Sequence, residues 1–269
     1  MINTILNSYK VKTEELGRVV DHFQQNLRQN LDTLNYCLNR GMTGKDIENF
    51  HIGYDKSAID FQNFIERSNF DVDLLKELGI LVKENGSEDS YYDKFCRRII
   101  FPIQDMKGNF IGLTGRVWKK GDDRAKYINT NLCEIYQKSL IMYGLYQAAY
   151  DISTQNLVLV VEGNADVVAC HSEGIKIAVC TSGSAFMEEH YLLLRQYTSR
   201  FIFCFDNDES GKKTTEKVKK LLENKSDIRV GYLDVGDAKD LDEYIRNFGS
   251  KDIKNAIKDL DNELLFELE

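Results

Sequence analysis

Two short apolar runs, each followed directly by carboxylates, constrain the fold of this chain more than any other feature. Residues 157–161 read Leu-Val-Leu-Val-Val and lead into Glu162, and residues 201–205 read Phe-Ile-Phe-Cys-Phe and lead into Asp206 and Asp208. Continuous runs of β-branched and aromatic residues are typical of strands buried on both faces of a parallel sheet. Because ligand sites in open α/β sheets lie beyond the carboxyl ends of the strands, we expect the two acidic clusters to meet at one edge.

The chain after residue 157 alternates between strand and helix patterns, which predicts an α/β fold with a mostly parallel sheet. Two further strands are predicted at residues 176–180 and 228–233. More acids, including Asp240 and Asp242, follow the last of these strands. The predicted helices are 165–173, 188–198 and 212–224.

Carboxylates gathered at one sheet edge repel one another unless a cation lies between them. Hard oxygen ligands on short loops suit Mg²⁺ or Mn²⁺. The same residue types after a strand also form turns and helix caps, so a purely structural interpretation stays open.

In the first part of the chain, the residue pattern predicts helices followed by a β-hairpin. Apolar residues spaced three or four apart indicate helix within residues 1–50, with Asp32 or Thr33 as one cap, and residues 58–83 suggest two more short helices. A polar loop at residues 84–90 precedes strands 98–104 and 109–117, which flank the turn Asp105–Gly108. That pairing would bring Arg98 and Arg116 side by side.

The distribution of charge and of cysteine limits the possible functions. The net charge is −8, yet residues 94–138 contain ten lysines or arginines against four acids. The six cysteines are scattered without zinc-ribbon spacing, as expected of free thiols in a reducing compartment. No signal peptide or membrane-spanning run is evident, so we expect a cytoplasmic protein with no membrane partner.

The acidic motifs resemble, in order and spacing, the Toprim fold of bacterial DnaG-type primases. They are Glu162-Gly163-x-x-Asp166-Val167, the Gly183 loop, Phe205-Asp206-x-Asp208-x-x-Gly211 and Asp240-x-Asp242-Glu243. Upstream motifs resemble the amino-terminal part of the same catalytic core, namely Tyr36-x-x-x-Arg40-Gly41, Phe50-x-Ile52-Gly53-Tyr54, Asp93-x-Phe95-x-x-Arg98-Ile99-x-Phe101-Pro102-Ile103, Gly108-x-x-Ile111-Gly112, Gly115-Arg116, Lys126-Tyr127-x-Asn129, Lys138 and Tyr143-Gly144.

The resemblance implies a mixed α+β subdomain with a basic face at residues 1–150. It also implies a Toprim domain at 151–250 and the start of a carboxyl-terminal helical region at 251–269. The chain departs from the family pattern at Cys96, where a second arginine is usual, and at Leu241, where the family has proline. The family's zinc ribbon and helicase-binding domain have no counterpart in this sequence. Two interpretations stay open: a cut-down form of a longer, phage-encoded primase, or separate proteins that take these roles.

The activity that the resemblance implies is synthesis of short RNA primers on single-stranded DNA from ribonucleoside triphosphates, dependent on Mg²⁺ or Mn²⁺. Its catalytic residues would be Glu162, Asp206 and Asp208, with Glu162 as the most plausible general base. Asp166, Asp240 and Asp242 would be additional metal ligands. Contacts to the template, the RNA–DNA hybrid or the nucleotide, in a groove between the two halves, would come from Arg98, Arg116, Lys126, Asn129 and Lys138.

Two other functions remain open from the sequence. A Toprim nuclease would use the same acids for hydrolysis, and a binding module would use them to hold a structural ion. A replicative helicase is an expected partner of a primase, through a region not present in these residues.

Overall fold

A computed structural model describes residues 2–84 and 90–266, without the side chains of residues 2–5 and 266. Most of the predicted polar loop, residues 85–89, and the last three residues of the predicted helical tail lie outside this range. Contacts divide the chain into a first unit, Met1–Asn39 with Thr43–Gln137, and a second unit, Arg40–Met42 with Lys138–Glu269. This division falls at Lys138, whereas the sequence predicts a boundary near residue 150, which lies inside a helix of the second unit.

The first unit begins with three helices, α1 Ile2–Gln29, α2 Leu31–Asn39 and α3 Gly44–Asn49. Val19, Phe23 and Leu27, which share one face of α1, are fully buried, as their spacing predicts. Thr43 caps α3 through a reciprocal capping box.

The predicted cap of α2 is wrong. Asn30, and not Asp32 or Thr33, accepts the hydrogen bond from the Thr33 N–H at 3.0 Å. Asn30 is the single residue between the end of α1 and the start of α2. The spacing of apolar residues alone could not locate this boundary between the two helices.

Two sheets and two further helices complete the first unit. The larger sheet has the antiparallel order β1-β4-β5-β6, and β2 pairs with β3. The predicted hairpin is confirmed, because Ile99 pairs with Arg116 and Ile103 with Gly112. Residues 81–83 form a strand and do not continue a helix. The elements are β1 Gly53–Tyr54, α4 Ala58–Ser68, α5 Val72–Glu77, β2 Leu81–Lys83, β3 Tyr91–Asp93, β4 Ile99–Gln104, β5 Phe110–Arg116 and β6 Tyr127–Asn129.

The second unit is built on a parallel four-stranded sheet of order β10-β9-β7-β8. The strands β7 Val158–Val161, β8 Ala178–Cys180 and β9 Arg200–Cys204 are buried throughout, as continuous apolar runs predict. Strand β10 Arg229–Tyr232 lies at the edge of the sheet and is only partly buried. The helices are α6 Leu145–Gln155, α7 Asn164–Ser172, α8 Glu188–Leu194, α9 Glu209–Leu222, α10 Leu241–Phe248 and α11 Lys251–Phe266, after a short 3₁₀ turn at Lys138–Leu140.

This parallel sheet flanked by helices, preceded by a mixed α+β unit, confirms the predicted fold class. Strands β7 and β9 are neighbours and run parallel, so their carboxyl ends open on the same edge. In the residues described, no helix combines the length and the apolar character needed to cross a bilayer.

Candidate active site

Glu162 and Asp206 come together where β7 and β9 end. Val161 pairs with Cys204 in the parallel ladder, so the residues that follow the two strands leave the sheet side by side. The Glu162 carboxylate accepts a hydrogen bond from the Asp206 backbone N–H, with Oε2 at 3.1 Å from the nitrogen. Two residues 44 positions apart in sequence are therefore held in direct contact, as the strand-end pattern predicts.

Asp206 lies in a strongly negative environment. Burial, together with the carboxylates of Glu162, Asp240 and Asp208, raises the pKa of Asp206 to about 7, while Lys239 opposes the shift. A carboxyl whose charged form is disfavoured in this way gains a compensating interaction when a cation enters. The electrostatics at the ends of β7 and β9 are those expected of a cation site.

Asp208 has a structural task in addition to any ligand role. It is the N-cap of α9, and its Oδ1 accepts a hydrogen bond from the Gly211 N–H at 2.9 Å. Gly211 itself is pressed against the preceding loop, because a Cβ built there would lie 1.9 Å from the Asp206 carbonyl oxygen. The glycine thus allows the loop that carries Asp206 and Asp208 to fold tightly onto the start of α9.

Asp240 begins α10 in the same way, since its Oδ1 accepts a hydrogen bond from the Glu243 N–H at 2.7 Å. The loop that precedes it is tied to the loop after β9, because the Asn207 N–H donates to the Lys239 carbonyl at 2.8 Å. Asp208 and Asp240 therefore cap helices, as the structural interpretation predicts, and they also add negative charge beside Asp206. That they bind a cation stays a prediction.

Asp166 has both carboxyl oxygens engaged by backbone. Oδ2 accepts from the Gly163 N–H and Oδ1 from the Asp242 N–H, each at 3.0 Å. Burial, with the nearby carboxylate of Asp240, raises the pKa of Asp166 to about 8. Asp166 therefore links the start of α7 to the start of α10.

Asp242 is 2% exposed and forms ion pairs with Arg40 and with Arg246, the latter at 3.3 Å. Arg40 belongs to one of the upstream sequence motifs, but its partner lies about two hundred residues further along the chain and only the fold reveals it. The carboxylates of Asp166 and Asp242 are therefore already engaged by backbone N–H groups and by arginines, as expected of residues that support a site. That either of them binds metal stays a prediction.

The carboxylate oxygens of Glu162, Asp206 and Asp208 are chemically suitable ligands for a hard divalent cation. Glu162 and Asp206 are half-buried and Asp208 is exposed, so all three present carboxylate oxygens that a solvated ion can reach. Within residues 2–84 and 90–266, no group of three or more His, Cys, Asp or Glu side chains is already arranged around a single point. Metal binding by these acids would therefore require their side chains to turn towards a common ion.

The two predicted phosphate-binding arginines of the first unit are adjacent, as expected, but they are buried. Arg98 is 3% exposed and donates to the backbone carbonyls of Ala125 at 2.8 Å and Gly115 at 3.5 Å. Arg116 is 5% exposed and donates to the Tyr36 hydroxyl. Arg98 therefore ties the start of β4 to the loop between β5 and β6, and Arg116 ties β5 to α2.

The remaining predicted nucleotide contacts differ in their surroundings. Lys126 is exposed beside the Tyr127 ring, at 5.6 Å from its centroid. Asn129 is half-buried, and its side-chain oxygen accepts from the Thr114 hydroxyl at 2.6 Å. In the second unit, Lys138 is half-buried and its carbonyl lies 2.9 Å from the Nε2 of His190.

Two family models match this chain. The model described as the DNA primase catalytic core, N-terminal domain, matches residues 22–149, and the one described as Toprim-like matches residues 159–245. Together they cover both halves in the order that the sequence motifs predict.

Comparisons with individual proteins agree with the family models. A DNA primase of Enterococcus faecalis is 30% identical over 240 residues, which cover 87% of this chain and 38% of that protein. A solved DNA primase domain from Pseudomonas aeruginosa aligns with a TM-score of 0.82 and 30% identity, covering 92% of this chain and 78% of that one. A DnaG primase catalytic domain solved bound to single-stranded DNA aligns with a TM-score of 0.81 and 28% identity, covering 93% and 78%.

Proposed function

Because this chain belongs to the family of bacterial DnaG-type primases and carries their catalytic core, we propose that it synthesises short RNA primers on single-stranded DNA. The chain spans less than half the length of the curated primase that it matches, with 38% of the Enterococcus faecalis protein covered. The proposal therefore concerns the nucleotidyl-transfer step, which the core would perform.

The contact between Glu162 and Asp206 is the observation that carries the proposal. It brings acids from two strands to one sheet edge, where the pKa of Asp206 is raised to about 7 by burial and by neighbouring carboxylates. Mg²⁺ or Mn²⁺ bound there would stabilise the attacking and leaving oxygens of the phosphoryl group being transferred. Glu162, Asp206 and Asp208 would hold the cations, and Glu162 would accept the proton of the attacking 3′-hydroxyl.

Two of the remaining acids, Asp166 and Asp242, support the metal site in this proposal. Asp166 positions the starts of α7 and α10 by accepting two backbone N–H groups, and Arg40 with Arg246 holds Asp242 in place. We propose Asp166, Asp242, Arg40 and Arg246 as positioning residues of the metal site, with Asp240 as a further ligand.

The partners proposed are a single-stranded DNA template, ribonucleoside triphosphates and the RNA–DNA hybrid formed as the primer grows. The DnaG catalytic domain described as bound to single-stranded DNA supports the template. Lys126, Asn129 and Lys138 are the accessible or half-accessible candidates for phosphate and sugar contacts, whereas Arg98 and Arg116 would contribute by supporting the basic surface of the first unit. A replicative helicase is a further proposed partner, within the primosome.

The test is primer synthesis by the purified protein. It is incubated with a single-stranded template, labelled ribonucleotides and Mn²⁺ or Mg²⁺, and the products are resolved on a sequencing gel. We expect short RNA products from the wild type and from Asp237→Asn, an exposed acid in the loop before α10, and much slower synthesis by Asp206→Asn.

The alternatives give different products in the same experiment. Cleavage of the template without RNA synthesis would replace the primase proposal with a nuclease. Synthesis at the wild-type rate by Asp206→Asn would remove Asp206 from the catalytic site.

A further inference from the structure

His190 is a completely buried histidine of the second unit, and both of its ring nitrogens are engaged. It is the third residue of α8, and the Met187 N–H donates to its Nδ1 at 3.0 Å. Its Nε2 lies 2.9 Å from the backbone carbonyl oxygen of Lys138. The reaction proposed above does not yet use this side chain.

The two hydrogen bonds require one particular form of the ring. A backbone N–H can only donate, so Nδ1 accepts, and the single ring proton lies on Nε2, which donates to the Lys138 carbonyl. Burial lowers the pKa of His190, although the Lys138 carbonyl and Glu189 oppose the shift, so the ring is neutral at pH 7. His190 is therefore a fixed donor to the Lys138 backbone.

The ring is also fixed relative to one of the strands that end at the proposed metal site. Phe186 lies against His190, with ring centroids 5.6 Å apart, and it meets the Phe203 ring edge to face at 5.1 Å. Phe203 belongs to β9, three residues before Asp206. His190 is therefore packed, through one aromatic ring, on the strand that leads to Asp206.

Lys138 begins a short segment that is held at both ends. The bond from His190 holds the start of the 3₁₀ turn Lys138–Leu140. At the other end, Tyr143 exchanges two backbone hydrogen bonds with Cys180, at 2.8 and 3.1 Å. Cys180 is the last residue of β8 and pairs with the last residue of β7. The backbone that carries the Lys138 side chain is thereby tied to the strands that carry the catalytic acids.

The Lys138 side chain can meet an anion. It is half-buried, and its ammonium group forms no ion pair with any residue that the structure describes. A partly desolvated ammonium group without a counter-charge gains from a multiply charged partner such as a triphosphate. Because the lysine side chain is flexible, the place that its ammonium group reaches depends on where its backbone is held.

We propose that His190 is a positioning residue for nucleotidyl transfer, whose neutral ring holds the Lys138 backbone so that the Lys138 ammonium group meets the triphosphate of the incoming ribonucleotide. This inference rests on the proposed function and deepens it, because it gives a role to a buried side chain that has no other part in the reaction. His190 acts through Lys138 and does not touch the nucleotide.

Two substitutions at His190 each keep one of its hydrogen bonds. The amide nitrogen of glutamine reaches about as far as Nε2 and can donate to the Lys138 carbonyl, whereas the oxygen of asparagine lies near the position of Nδ1 and can accept from the Met187 N–H. His190→Gln therefore keeps the bond to Lys138, and His190→Asn keeps the bond at the start of α8. Since each variant loses one hydrogen bond, their melting temperatures should fall by similar amounts.

The first measurement is equilibrium binding of the fluorescent ribonucleotide N-methylanthraniloyl-ATP, followed by anisotropy in the presence of Mg²⁺. Lys138→Gln should weaken binding at least about tenfold, because a hydrogen bond to a charged group is lost. His190→Asn should weaken binding by no more than Lys138→Gln does, and His190→Gln should bind like the wild type. His171→Asn is the matched control, because His171 is also buried and its Nε2 lies 3.1 Å from the Ala178 carbonyl oxygen of β8. It should leave binding unchanged.

A double-mutant cycle measures whether His190 acts through Lys138. In the Lys138→Gln background, His190→Asn should cause no further loss in nucleotide affinity or in kcat/KM for primer synthesis. A purely structural role would instead give equal losses in both His190 variants and in His171→Asn, following their melting temperatures. That pattern, wild-type affinity in His190→Asn, losses that add in the cycle, or a wild-type protein that does not bind the nucleotide would each overturn the proposal.

Failure of this inference and failure of the primase proposal are distinguishable. Primer synthesis and nucleotide binding that are both unaffected by His190→Asn would refute the inference alone. Nucleotide binding that His190→Asn and Lys138→Gln weaken, in a wild-type protein that makes no RNA, would refute the primase proposal alone.

Discussion

Replacing Asp208 in two ways separates its capping task from its proposed role as a metal ligand. Its Oδ1 accepts the Gly211 N–H at the start of the fourteen-residue helix α9. Asparagine caps helices as well as aspartate does, while alanine at an N-cap costs about 1 kcal/mol. Asp208→Asn should therefore leave the free energy of unfolding nearly unchanged, and Asp208→Ala should lower the melting temperature by about 2–4 °C.

The effect on primer synthesis should not follow the effect on stability. Both substitutions remove the carboxylate charge, and a bound cation contributes several kcal/mol of transition-state stabilisation, so each should slow synthesis by at least about a hundredfold. Differential scanning calorimetry and the primer assay, performed on the same preparations, measure the two effects. An asparagine variant that synthesises primers at the wild-type rate would refute the ligand role, and an alanine variant as stable as wild type would refute the capping role.

Two further predictions concern backbone packing and buried charge. Gly211→Ala should destabilise the protein and abolish synthesis, because the new Cβ would meet the Asp206 carbonyl oxygen at 1.9 Å; calorimetry and the primer assay measure both effects. Asp55→Asn should raise the melting temperature more at pH 8 than at pH 5, because burial beside Asp93 raises the pKa of Asp55. The folded state then keeps a proton that the unfolded chain releases above about pH 4, so wild-type stability falls as the pH rises towards the folded pKa.

For each of these two predictions, a specific experimental result would contradict it. Gly44 lies in α3 with nothing within 4 Å of an added Cβ, so Gly44→Ala is the harmless control, and equal effects of the two glycine substitutions would contradict the packing argument.

The charged or titratable groups around Asp55 are Asp93, Cys96 and Asp60. A constant difference in melting temperature across this pH range would show that Asp55 does not keep its proton.

The sequence predicts those parts of the fold that depend on local patterns. The buried strands β7 and β9 follow from continuous apolar runs, and the register that places Ile99 opposite Arg116 follows from the turn between β4 and β5. Contact between Glu162 and Asp206 was predictable because parallel neighbouring strands end at one edge.

The sequence could not predict which charges are buried. Arg98 and Arg116 belong to a basic stretch that resembles a binding surface, yet both are buried, with Arg98 donating to backbone carbonyls and Arg116 to a tyrosine hydroxyl. The pairing of Arg40 with Asp242 likewise depends on tertiary contacts between distant residues. Charge type is local information, whereas burial is a property of the complete fold.

The central claim is that acids from two strands form one catalytic centre, and a double-mutant cycle on the rate of primer synthesis tests it most directly. Residues that act as a unit are not additive, so the double variant should be no slower than the worse of the two single variants. We predict this result for Glu162→Gln, Asp206→Asn and their combination. Rate losses that simply add in free energy, or a single variant that retains full synthesis, would contradict the account.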